Sequence, residues 1–207
     1  MQGLNSYQIR FLKEQDIHLK YVFDAEGLSK SEYRVIMKEL NKLVAYNVSP
    51  CQKEGHTLRT RSGHCCQCNT RALAFQKRND STGIVYIAGS LSGEVVKIGF
   101  SKAVEVRAES LNRTKYAGFN DWKILFALKS QNAGRIETKS NSLLYEYGSS
   151  TDYKHDGHWV DSRETYHCAY SKAKEFVEKA YKAENYDIDI VRNSTTNKYE
   201  FRNLKKL

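Results

Sequence analysis

Tyr86, Lys97, Arg107 and Glu137 follow one another along the chain as a phenol, an ammonium, a guanidinium and a carboxylate. Those are the groups that in-line displacement at a phosphodiester calls for: a proton relay to the attacking water, positive charge on the phosphorane oxygens, and an oxygen ligand for a divalent cation. Tyr86 could relay the water's proton if a neighbouring cation such as Lys97 lowered its pKa. Arg107 offers a planar fork to phosphate oxygens. Glu137 could hold one Mg²⁺ or Mn²⁺, an ion that keeps several waters and takes only one or two protein carboxylates. Each residue also has a plain structural reading: Tyr86 as a strand aromatic, Lys97 as a solvated edge residue, Arg107 as a partner of Glu105 or Glu109, and Glu137 as a partner of Arg135 or Lys139 on a wet helix face.

The elements that would position these groups are short. Residues 83–90 and 94–100 are rich in β-branched and aromatic side chains and flank Leu91-Ser92-Gly93, which predicts a hairpin. Residues 101–113 place Val104, Ala108 and Leu111 at helical spacing with Arg107 on the adjacent stripe, residues 122–129 read as a third strand, and residues 132–147 read as a helix burying Ile136, Leu143, Leu144 and Tyr147 with Glu137 on its flank. The expected fold class is α+β: a small three-stranded β-β-α-β-α core, preceded by a helical and zinc-binding module and followed by a helix and a hairpin.

Residues 83–147 resemble the GIY-YIG nuclease superfamily, with Gly83-Ile84-Val85-Tyr86-Ile87 in the first motif position and Val96-Lys97-Ile98-Gly99 in the second. They look most like a phage-encoded, DNA-binding branch in which the second motif reads KIG and a later element reads like Gly157-His158-Trp159-Val160. The resemblance implies a Mg²⁺-dependent endonuclease with Tyr86, Arg107 and Glu137 in its site. Two departures stand out: Lys97 replaces the second-motif tyrosine of the broad superfamily, and Asn141 stands one turn beyond Glu137 where the branch often has histidine.

Upstream, Cys51-x4-His56-x8-Cys65-x2-Cys68 supplies the ligand set of a closed structural zinc site, with Cys66 as the spare thiol and His64 as the alternative fourth ligand. His56 is preferred because Gly55 permits a tight turn. Without a signal peptide or long apolar segment, a reducing cytoplasm is the expected compartment and metal is favoured over disulfides. Residues 51–78 carry Lys53, Arg59, Arg61, Arg71, Lys77 and Arg78 against Glu54 alone, a stripe suited to phosphates. Arg113 and Lys115 extend the set of candidate DNA contacts into the core; a solvated zinc ribbon is the plain alternative.

In residues 1–50, Ser29 with Glu32 forms a capping box, and Val35, Ile36, Leu40 and Leu43 read as a buried stripe behind it. The looser run before Gly27 makes either a helical hairpin or a DNA-reading helix-turn-helix. Downstream, residues 153–161 read as a polar loop at the rim of the site, with Trp159 pinning it to the core. Residues 162–183 read as an amphipathic helix with Ala169, Ala173, Phe176 and Ala180 inward, and 188–191 with 199–201 as a hairpin.

The 207 residues suffice for one substantial core and a small accessory module, and the formal net charge of +9 points to a polyanion, DNA above all. No membrane or small-molecule cofactor is expected. The expected divisions are residues 1–50, 51–80, 81–161 and 162–207, with the main boundary at 76–82. Three functions fit: a metal-dependent DNA endonuclease with a zinc-bearing docking module, a DNA-binding protein on a degenerate nuclease scaffold, and a protein-interaction module in which the basicity is incidental.

Overall fold

The computed structural model describes residues 3–155, 157–162 and 164–206. The architecture is α+β and divides into two compact units, Met1–Arg78 and Asn79–Leu207. Among the described residues no helix is long and apolar enough to cross a membrane.

The first unit opens with α1 (Ser6–Glu14), started by a reciprocal capping box between Asn5 and Gln8. Next come β1 (Val22–Asp24), α2 (Lys30–Glu39) and β2 (Val44–Tyr46), then β3 (Arg59–Thr60) and α3 (Thr70–Asn79). β1 and β2 pair in parallel, so α2 is the crossover such a pair requires. This excludes both a helical hairpin and a helix-turn-helix between α1 and α2. The Ser29–Glu32 box caps α2 as its sequence predicts. Its buried face differs: Tyr33 and Met37 point inward, whereas Val35 and Leu40 are 57% and 56% exposed. The helix ends before Leu43, and Asn41 turns the chain with a left-handed φ of 50°. Leu43 therefore enters the core with a phase of its own, and the stripe inferred from it is displaced.

Leu58, Cys66 and Leu73 of the cysteine-bearing segment pack with Leu12, Ile17, Leu43 and Val44 in one cluster. Residues 1–50 and 51–78 thus share a core.

The second unit is built on β4 (Gly83–Ser90), β5 (Val95–Ser101), α4 (Arg107–Arg113), β6 (Lys123–Ser130), α5 (Ala133–Leu143), β7 (Gly148–Ser149), β8 (Asp152–His155), β9 (His158–Asp161), β10 (Thr165–Tyr166), α6 (Tyr170–Lys182) and β11 (Asp189–Asn193). Six strands form one antiparallel sheet in the order β11-β6-β4-β5-β10-β7, and β8 and β9 form a separate hairpin. The expected β-β-α-β-α segment lies at its centre, but the expected C-terminal hairpin is absent. β11 pairs with β6 instead, since that edge needs a partner for its backbone groups. Residues 162–207 are likewise no appendage: Tyr166, Cys168, Tyr170, Ala173, Val177, Ala180 and Tyr199 belong to the main cluster with Val85, Ile87, Val96, Ile98 and Ile136.

Alternation along β4 and β5 sends Val85, Ile87, Val96 and Ile98 to the cluster shared with α5 and α6. It sends Tyr86 and Ala88, with Val95, into a second cluster containing Leu111, Trp122 and Ala127. Tyr86 stands opposite Gly99 in the β4–β5 register. A Cβ on Gly99 would lie 2.5 Å from the Tyr86 Oη and 2.6 Å from its Cζ. The second-motif glycine is therefore the space that the first-motif ring occupies. Because the ring is rigid and buried, Gly99→Ala should destabilise the second unit by about 1–3 kcal/mol, the usual cost of overpacking; denaturant melts with an unchanged midpoint would show that the strands absorb the methyl.

Candidate functional site

Tyr86 is fully buried on the central strand, and its Oη accepts a hydrogen bond from Nε of Arg107 at 2.9 Å. The first turn of α4 delivers that guanidinium to the sheet face, in place of the Glu105 or Glu109 pairing open on sequence grounds. The two Nη atoms of Arg107 make no hydrogen bond among the described residues, so the fork has donors to offer beyond Tyr86. Burial pushes the Tyr86 phenol above its ordinary pKa, outweighing the downward pull of Arg107. This corrects the expected lowering by Lys97: the cation touching the hydroxyl is Arg107, and the phenol is held neutral.

Lys97 is 1% exposed rather than a solvated edge residue. Its Nζ lies 2.5 Å from Glu164 Oε2 and 3.4 Å from the Tyr116 hydroxyl, and 4.6 Å from the centroid of the Tyr116 ring. Burial drives its pKa below the ordinary lysine value, and Glu164 pulls it back up. Tyr116 is carried by a 3-10 turn, Tyr116–Gly118, in which Lys115 and Ala117 both take left-handed φ, 46° and 56°. Such conformations cost non-glycine residues on the order of 1–3 kcal/mol each, and the buried contacts of Tyr116 hold them in place. Trp122 secures the turn by donating its Nε1 to the Tyr116 carbonyl at 3.0 Å.

Glu137 is 3% exposed and shares the inward stripe of α5 with Ala133, Ile136 and Ser140, not the flank. Its expected alternative partner Arg135 binds Asp80, at 2.6 and 2.9 Å. The Glu137 carboxylate acts electrostatically on Tyr86, Lys97 and Tyr166, which places it among these groups. A carboxylate on a buried helix stripe is costly unless it serves a charge or a reaction. Asn141, one turn on, accepts from the Tyr166 hydroxyl at 2.8 Å.

Glu164, Tyr116, Tyr153 and Tyr166 complete the cluster, and none of them stands among the residues singled out from sequence. One signal pointed to Glu164: a lysine in the otherwise apolar run Val95-Val96-Lys97-Ile98 requires a counter-charge. Which carboxylate supplies it is set by a contact 67 residues away. A cleft of about 610 Å³ lies elsewhere in the unit, lined by Val104, Ala108, Trp122, Ile124, Arg192 and Lys198 among others, and holds none of the four expected catalytic residues. We read the site from its charged groups.

The four sequence-chosen ligands of the first unit do converge. Cys51 Sγ, His56 Nδ1, Cys65 Sγ and Cys68 Sγ all lie within 4.8 Å of one another. Metal–sulfur bonds of about 2.3 Å and a metal–nitrogen bond of about 2.0 Å at tetrahedral angles give edges of roughly 3.8 Å between sulfurs and roughly 3.6 Å from sulfur to nitrogen. The Cys51–Cys68 edge is 3.8 Å, and the three sulfur–nitrogen edges are 4.0, 3.3 and 3.8 Å. The donor set therefore fits a tetrahedral cation, and all five cysteines are free thiols. The Glu54 and Cys68 backbone N–H groups donate to Cys51 and Cys65, orienting the sulfurs. His64 is exposed, with its backbone N–H bound to Thr60, and Cys66 is buried in the core with its thiol pushed up to about 12 by burial.

The basic stripe is narrower than its sequence implies. Arg59 donates to the carbonyls of Ser49, His56 and Leu58, and Arg61 donates to that of Lys42. Both guanidiniums hold loop backbone around the cysteine cluster. Arg71 and Arg78 are exposed on α3, and Arg113 and Lys115 are exposed around the end of α4.

Residues 83–181 match the T5orf172 domain family, a segment that carries Tyr86, Lys97, Arg107, Glu137 and Glu164. No curated protein and no solved structure matches the chain.

Two measurements test these assignments. Purified protein should hold close to one zinc per chain by elemental analysis, and Cys68→Ser should release it and expose residues 51–68 to protease, since metal held by thiolates contributes folding energy directly. Glu164→Ala should cost about 2–3 kcal/mol, less than for a fully enclosed pair because Glu164 is 35% exposed, by stranding the Lys97 charge. That variant lowers the folded-state pKa of Lys97 further below its unfolded value. The unfolded chain then binds more protons across the interval between the two, so the deficit should shrink as pH rises through it. The double variant Lys97→Met/Glu164→Ala should recover most of the loss; no recovery would mean that the pair is not coupled.

Proposed function

We propose that this protein is a metal-dependent DNA endonuclease of GIY-YIG type whose zinc-stabilised first unit docks on DNA. The observation that carries the reading is the Arg107–Tyr86 hydrogen bond at 2.9 Å in the same electrostatic cluster as the buried Glu137. The match to the T5orf172 domain, a phage-associated nuclease-like domain, supports the substrate class, as does the net charge of +9.

The roles follow from the contacts. Tyr86 accepts from Arg107 and remains neutral, so its own proton is available to a phosphate oxygen or to the attacking water: it orients and donates. Arg107 directs its remaining donors to the phosphate, where charge develops. Lys97, neutralised by Glu164, acts by positioning Tyr116 and the chain around 164. Glu137 offers a hard oxygen ligand, and one carboxylate with waters and the phosphate itself is a sufficient shell for Mg²⁺ or Mn²⁺. Such an ion, when bound, supplies Lewis-acid stabilisation of the leaving oxygen.

The burial of Lys97 in an ion pair also favours a second reading, a DNA-binding protein on a degenerate scaffold, because the second-motif position is then spent on structure. Plasmid nicking with and without Mg²⁺ separates the two. Glu137→Ala should abolish metal-dependent nicking with DNA affinity kept or raised. Arg107→Ala should cost about 10²–10³ in rate, the loss expected for one transition-state donor. Tyr86→Phe should lower turnover with little change in affinity. Wild-type nicking rates in the Glu137 variant would refute the site, and a wild-type protein that binds but never cuts would establish the scaffold reading.

A further inference from the structure

The β8–β9 hairpin is the part of the second unit that neither its core nor the proposed chemistry absorbs. Its root is anchored at the site: Tyr153 is buried with its ring centroid 5.1 Å from that of Tyr116, the ring beside the Lys97 ammonium. Its outer part is not anchored. Trp159 is 73% exposed, against 1% for Trp122, the other tryptophan of the chain. The expectation that Trp159 pins this segment to the core is overturned; Tyr153 does so.

The register explains the difference. Tyr153 stands opposite Val160, and Lys154 opposite Trp159. Directly opposed residues share a face of an antiparallel pair and alternate ones lie on the other. Lys154 and Trp159 therefore share the face turned away from Tyr153, with Asp152 and Asp161 at its base. Gly157, at φ 84°, supplies the left-handed turn at the tip. Lys115 and Arg113, both exposed, lie at or just before the 3-10 turn against which β8 packs.

A protein-binding surface has a contiguous apolar patch, whereas this one has a single indole among cations. A large aromatic face beside ammonium and guanidinium groups is the complement of a nucleobase and its phosphates. The neighbouring cluster is the one that the proposed function assigns to a phosphodiester.

We propose that Trp159 stacks on a nucleobase lying outside the helical stack beside the scissile phosphate, with Lys154 and Lys115 on flanking phosphates. This rests on the endonuclease reading and adds a substrate class: DNA with an unpaired or single-stranded nucleotide at the cleavage position.

The test uses the full chain carrying Glu137→Ala, so that DNA survives, and reads tryptophan emission and affinity together. The probes are a single-stranded oligothymidylate, a perfect duplex and the same duplex with one mismatch. The single strand should quench Trp159 emission. Trp159→Ala should weaken single-strand and mismatch binding by roughly 5- to 150-fold, the range for one stacked base, with a smaller effect on the perfect duplex. Trp159→Phe should retain most of the affinity, which a purely structural role at an exposed site would not predict. DNA binding with unchanged emission, and unaltered in Trp159→Ala, would overturn the stacking inference while leaving the endonuclease reading intact. Self-association of the parent chain by light scattering, abolished in Trp159→Ala, would overturn it in favour of an interface between copies. Failure of the parent chain to bind any of the three probes would remove the endonuclease reading and this inference with it.

Discussion

A lysine buried at the heart of a β-sheet has to be answered by an opposite charge, and much of the second unit is arranged around that demand. Lys97 sits on β5 with its ammonium on the same sheet face as Tyr86. The answering carboxylate, Glu164, arrives on the segment that leads into β10, and β10 is hydrogen-bonded to β5 at Lys97 and Val96. One ion pair thus ties the sheet centre to the chain that continues into α6 and β11. A pair of this kind adds little net stability over an apolar substitute, but it leaves few alternative arrangements once formed.

The same economy runs through the cluster. Tyr116, fixed over Lys97 by a turn with two left-handed non-glycine residues, also receives the Tyr153 ring, so the hairpin and the ion pair share a support. Tyr86 gains its place from the missing Cβ at Gly99 and its hydrogen bond from Arg107. Of the two cations expected to act on phosphate, one is committed to Glu164 and the other retains donors. The site reads as a single arginine fork backed by a neutral phenol and a buried carboxylate.

In the first unit the metal-ligand geometry and the apolar core are mutually dependent. Leu58 and Leu73 flank the cysteine-rich loop and anchor it in a cluster that also contains Cys66, a thiol that burial renders inert. Arg59 binds three carbonyls around the loop, so part of the positive charge that suggests DNA contact is employed in holding the ligands' backbone. A charge pattern in sequence does not distinguish these uses, because a guanidinium reaches a carbonyl as readily as a phosphate.

Local chemistry was legible in the residues themselves. The capping box at Ser29, the β4–β5 hairpin, the Cys51, His56, Cys65 and Cys68 set and the order of Tyr86, Arg107 and Glu137 all rest on short-range spacing, which fixes turn geometry, strand alternation and ligand reach before any distant contact forms. Long-range pairing alone decided the rest. Glu164 as the partner of Lys97, β11 on the edge of β6, α2 as a crossover and Trp159 in solvent each depend on which strand lies beside which. The reason is energetic: one residue's burial or charge compensation is a property of the assembled sheet, where packing and desolvation over many distant groups outweigh the preferences of any local stretch.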